Sequence, residues 1–201
     1  MKKKAFIVIL AAILVVGVGT AGTLAWLTDT KSVTNTFTIG QVKLDLYETD
    51  AENGHIYANT YTMIPGTTNI KKDPTVTVLA NSEDCYLFVE MIEPAPRTVG
   101  TGTELVPFSD IVDYEFAPTV EGSDWFKYDV TGRTVYYRVV SKADTDRSFG
   151  LIDGGTISIK GTATNEMIKA FEDATLEFKA YAIQQANAGT VADAWSKLTT
   201  P

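Results

Sequence analysis

Apolar and polar positions fall into two regimes along this chain. Residues 2–4 are lysines and residues 5–22 are almost wholly apolar; beyond them, short apolar runs alternate with Gly, Pro, Asp and Asn punctuation. Alternation at every second residue predicts half-buried strands. Residues 34–47 make the first, with Phe37 and Ile39 in one phase and Val42, Leu44 and Leu46 in the other. The phase shift at Gly40-Gln41 predicts a bulge or a strand that changes sheet. Residues 55–62 predict a weaker strand carrying Tyr57 and Tyr61, and Thr75-Val76-Thr77-Val78 a clean one. Residues 86–92 are nearly continuous in apolar character, as expected of a central strand covered on both faces. A Gly/Thr-rich stretch at 97–107 predicts a mobile surface loop. Residues 112–116 predict a short strand, and residues 156–161 and 176–183 two more. Residues 125–128 and 134–140 predict hairpin arms joined through Gly132. Two stretches have helical spacing instead. Residues 164–171 put Met167, Ile168 and Phe171 on one side, and residues 190–198 align Val191, Ala194, Trp195 and Leu198. The second helix begins at Thr190, with Asp193 completing a relative of the capping box.

Many short strands, frequent turns and one or two short helices predict a mainly β fold, an antiparallel two-sheet sandwich. Strand number alone leaves a jelly roll and an immunoglobulin-like arrangement both open. Phe88, Val89, Trp125, Tyr137, Phe178 and Trp195 are the expected core.

The amino-terminal regime carries a different message. A basic start, an apolar run and a small-x-small exit at Thr23-Leu24-Ala25 are the grammar of a secretory signal peptide. This predicts cleavage between Ala25 and Trp26, dividing the chain into a leader (1–25) and a single β-sandwich domain (26–201), and a secreted or cell-surface product. The other reading of the run is a retained membrane anchor, for which its length suffices; Gly17, Gly19 and Gly22 weaken it as a helix. Contact with a membrane is expected only through the uncleaved leader. Beyond residue 25 the chain has 14 basic against 25 acidic residues, a net charge of −11. Nucleic acid is excluded as a partner on that charge, because phosphate neutralisation supplies most of such affinity.

Several segments carry a family resemblance. Ala21-Gly22-Thr23-Leu24-Ala25-Trp26-Leu27-Thr28-Asp29, then Asn35-Thr36-Phe37-Thr38-Ile39-Gly40 and Val42-Lys43-Leu44-Asp45-Leu46, resemble the SipW-dependent signal region of the TasA/CalY/camelysin family. Met63-Ile64-Pro65-Gly66 resembles the apolar-Pro-Gly element of that family. Lys72-Asp73-Pro74-Thr75-Val76-Thr77-Val78 with Ser82-Glu83-Asp84-Cys85-Tyr86, and Tyr181-Ala182-Ile183-Gln184 followed by Ala194-Trp195, resemble a subgroup of it. The resemblance implies a jelly-roll sandwich, a SipW-type signal peptidase as export partner, and a Gram-positive biofilm-matrix protein that polymerises with itself into fibres. It also implies that the mature amino-terminal strand, residues 26–39, is exchangeable. Trp26, Leu27, Val33, Phe37 and Ile39 would then dock into a neighbouring copy, as alternating side chains do in β-strand addition.

Catalytic chemistry is sparse. Camelysin-type members are classed as metalloproteases, yet His55 is the sole histidine and no His-Glu-x-x-His occurs. A zinc protease site ordinarily uses two histidines and a general base. A serine triad would have to recruit His55 without a Gly-x-Ser-x-Gly element. No cofactor is expected. Calcium is the one ion with any candidate ligands, in Asp110, Asp113, Asp144 and Asp146, whose carboxylates suit a hard cation; the alternative is an acidic solvated surface. Cys85, the single cysteine, reads as a small buried hydrophobe or as a thiol available for an intermolecular disulfide. Three functional classes remain: a fibre-forming matrix protein, a monomeric exported binding module and a surface protease.

Overall fold

Thr75-Val76-Thr77-Val78 alternates half-buried and buried positions, so one face of this strand lies in a core. The computed structural model, which describes residues 41–50 and 54–199, builds a sandwich around it. In chain order the strands are β1 (Leu44–Asp50), β2 (Gly54–Ile56), β3 (Ile70–Lys71), β4 (Thr75–Val78), β5 (Cys85–Ile92), β6 (Arg97–Thr98), β7 (Leu105–Val106), β8 (Val112–Asp113), β9 (Phe126–Val130), β10 (Arg133–Val140), β11 (Ser148–Gly150), β12 (Thr156–Ile159) and β13 (Glu177–Gln184). Helix α1 (Asn165–Ala170) precedes β13; α2 (Gln185–Ala188) and α3 (Val191–Thr199) follow it.

Two four-stranded antiparallel sheets dominate, ordered β11-β4-β1-β2 and β13-β5-β10-β9. They face each other. Val76 and Val78 of β4, with Leu44 and Leu46 of β1, meet Cys85, Leu87 and Val89 of β5 and Val140 of β10. The chain crosses from one sheet to the other between β4 and β5 and again between β10 and β11, as in an antiparallel two-sheet sandwich. A smaller sheet, β3-β12-β8, packs Val112, Ile157 and Ile159 with Phe108, Ile111 and Phe171 into a second core.

Strand β5 is apolar at all positions but Glu90 because both of its faces are covered. Leu87 and Val89 point between the sheets, whereas Phe88 points outward under the carboxy-terminal helix. Phe88 lies 5.2 Å from Trp195 and 5.8 Å from Tyr128, ring centre to ring centre. Helix α3 starts as expected: Asp193 Oδ2 accepts from the Thr190 amide at 3.0 Å, and Thr190 Oγ1 accepts from the Asp193 amide at 3.2 Å. The β9–β10 hairpin pairs Val130 with Arg133, leaving a two-residue turn in which Gly132 takes φ 71°.

Several expectations need correction. Residues 97–107 are not simply a loop, since β6 and β7 pair within them through Arg97↔Val106. The strand expected over 55–62 ends at Ile56, because residues 57–63 join no sheet. There are three short helices among the described residues, not one or two. Phe88, Val89 and Trp195 are buried, but Trp125, Tyr137 and Phe178 are half-buried. Residues 1–25 and the proposed exchangeable strand, 26–39, lie outside the described residues. Among the described residues no helix is long and apolar enough to cross a membrane.

Candidate functional site

Strand β13 ends its sheet. All eight of its residues pair with β5 on one side, from Glu177↔Ile92 to Gln184↔Cys85. Among the described residues no strand pairs with its other side. In an antiparallel strand alternate residues direct their N–H and C=O groups to each side, so half of the β13 backbone faces an open edge. Such edges are usually blunted by Pro or charge. Here the charges, Glu177 and Lys179, sit at one end, and residues 180–184 carry neither.

Beside the start of β13 the sandwich opens into two clefts of about 280 and 300 Å³. They share Asn59, Lys72, Thr175 and Leu176 in their walls. One reaches Phe108, Ile157 and Ile159 of the second core; the other reaches Leu46, Tyr57 and Phe178. The extended segment 57–63 runs between them, and side chains fasten it. Tyr61 OH donates to Glu48 Oε2, while Lys72 Nζ donates to Glu48 Oε1 at 2.6 Å. The Lys72 ammonium also lies 4.9 Å from the Tyr61 ring centre and 5.9 Å from that of Phe178. Burial and the neighbouring Glu48 carboxylate raise the Tyr61 pKa well above its ordinary value. Lys72 is buried and is made tolerable by this pairing. At the same end, burial pushes the Asp73 carboxyl up, but hydrogen bonds from the Thr49 hydroxyl and amide outweigh it and leave its pKa lowered.

The residues singled out for chemistry are scattered. His55 stacks on Tyr47 with ring centres 3.4 Å apart, and its Nδ1 lies 3.1 Å from Asp45 Oδ2. Asp110 and Asp113 are exposed. Asp144 Oδ2 accepts from the Ser141 amide at 2.8 Å, and Asp146 Oδ1 from the Ser148 amide at 3.1 Å, so both hold their own loop. Among the described residues no three His, Cys, Asp or Glu side chains gather as a metal site. Cys85 is fully buried between the sheets, and burial pushes its thiol up to about 11. Ala25, Trp26, Leu27, Val33, Phe37 and Ile39 lie outside the described residues.

The sequence reading missed the buried charges. Glu90 interrupts the apolar run of β5, and that interruption was the visible signal that a cation must lie beside it. Lys72 had no comparable signal, because its partner Glu48 belongs to another strand and the Tyr61 ring reaches it from an irregular segment. No known protein family matches this chain, and no characterised protein or solved structure does either.

Proposed function

We propose that this chain is an exported structural subunit of an extracellular matrix, which assembles with copies of itself by adding the segment 26–39 of one copy to the sandwich of the next. The observation that carries this reading is the open side of β13, an eight-residue edge without a strand partner among the described residues, lying beside two clefts of mixed apolar and polar lining. Main-chain hydrogen bonds along such an edge supply affinity, and pockets beside it accept alternate side chains. Trp26, Leu27, Val33, Phe37 and Ile39 are the side chains offered. Head-to-tail addition of this kind does not close on itself and builds filaments. Removal of the leader by a SipW-type signal peptidase would free the donor segment and so couple export to assembly. In this reading the role is non-enzymatic.

Electron microscopy of purified protein starting at Trp26, compared with protein lacking residues 26–36, tests this reading. Filaments are expected from the first and not from the second. Equal filament formation by both would overturn it.

A further inference from the structure

A third cleft lies on the opposite side of the sandwich, where β11 and β9 end their sheets. It is an open depression of about 340 Å³ between Trp125, Arg138 and Phe149, with Glu121, Gly122 and Asp153 also in its lining. The side chain of Arg138 makes no hydrogen bond and no ion pair with any described residue, and its Nε is buried without a partner. The guanidinium carbon lies 3.9 Å from the Phe149 ring centre and 5.3 Å from that of Trp125. Burial lowers the Arg138 pKa, while Asp124, Asp144 and Asp146 pull it upward from a distance. A guanidinium has five N–H donors; here only the Nε–H is cut off from solvent, and the terminal nitrogens remain accessible to a ligand.

The surroundings narrow what would satisfy those donors. An anion would bind the guanidinium but meet Glu121, Asp153 and the three nearby aspartates, which repel it. A neutral ligand rich in hydroxyl groups meets both demands, since each hydroxyl accepts from a guanidinium and donates to a carboxylate. Pyranose rings also present C–H faces suited to an indole.

We propose that this cleft binds a neutral saccharide, with Arg138 donating to its oxygens, Glu121 and Asp153 accepting from its hydroxyls, and Trp125 meeting a sugar face. The site is independent of β13 and of the assembly reading.

The test is titration of the purified protein with cellotetraose, maltotetraose, mannotetraose and chitotetraose, with inorganic phosphate and an end-blocked tetraglycine as competitors of other chemistry. Amide spectra and tryptophan fluorescence report the contacts. The expected result is saturable shifts at Trp125, Gly122 and Gly150 with at least one tetrasaccharide. R138M should weaken that binding at least about tenfold, the scale of a lost charged hydrogen bond. Because the guanidinium's partners are the Phe149 and Trp125 rings, against which a methionine can also pack, R138M should keep the fold; E121K, at an exposed margin, gives a second variant expected to weaken binding. The proposal fails if no tetrasaccharide produces saturable shifts. It fails equally if phosphate or tetraglycine binds the cleft more tightly, or if R138M binds as the unmodified protein does.

Discussion

Arg133 Nε donates to Glu90 Oε1 at 2.5 Å, and a second guanidinium nitrogen donates to Glu90 Oε2, so one arginine of β10 grips the buried carboxylate of the central strand β5. Tyr181 of β13 adds a hydroxyl at 3.1 Å, and the same guanidinium lies 4.9 Å from the Trp195 ring centre. Three adjacent strands and the carboxy-terminal helix therefore meet at one charge. A carboxylate with a side chain only 5% exposed is tolerated because its oxygens accept two hydrogen bonds from Arg133 and one from Tyr181.

Replacing Glu90 by Gln should expose that dependence through pH. Hydrogen bonds from Arg133 hold the Glu90 carboxyl below its usual value, against the opposing effect of burial. A depressed folded pKa means the contribution is complete above the unfolded value of about 4.3 and is lost as pH falls through the lower folded value. Denaturant titration should find E90Q less stable by about 2 kcal/mol at pH 7, with the gap closing below about pH 4. A difference that does not vary with pH would show that ionisation of Glu90 is not what stabilises the fold.

Phe88 is fully enclosed by Trp195, Tyr128 and Tyr137 on the outer face of the sheet. Phe88→Ala should cost about 3–5 kcal/mol, the usual scale for an emptied aromatic site. Trp195→Ala should also destabilise, because it uncovers the same row of rings. A loss below about 1 kcal/mol for Phe88→Ala would mean that this face is not packed as described.

Cys85 should be silent in the folded protein. With its thiol pushed up to about 11 and its side chain fully buried, thiolate at pH 8 is reduced on the order of a hundredfold relative to an unperturbed cysteine. A thiol-reactive dye should label it only after denaturation, and non-reducing gels should show no disulfide-linked dimer. Rapid labelling under native conditions would contradict the burial.

Export processing has a direct test at the predicted cut. Ala25→Phe places a bulky group where a signal peptidase requires a small one. Secretion followed by intact-mass measurement should show the normal product starting at Trp26 and an unprocessed A25F chain. A normal-sized product from A25F would place the cut elsewhere.

The sequence by itself determined the elements whose cause is local. Thr-Val alternation placed β4, the nearly continuous apolar run placed β5 inside a sheet, and the Thr190–Asp193 pair placed the start of α3. These signals need only neighbouring residues, because side-chain direction repeats with the backbone period and a cap acts within one turn. Tertiary structure decided what depends on residues far apart in the chain. Residues 97–107 fold into a small hairpin whose Arg97 also reaches the Ala170 carbonyl at 2.8 Å, an anchor invisible in a Gly/Thr-rich composition. Residues 57–63 have the aromatic alternation of a strand, but Tyr61 is drawn to Glu48 and Lys72 and no sheet edge takes up their backbone. Trp125 and Phe178 looked like core residues, yet each lines a cleft at a side of the sandwich and so stays half-exposed. Hydrophobicity states that a side chain gains by leaving water; only the width of each sheet and the strand that ends it decide whether there is a neighbour to cover it.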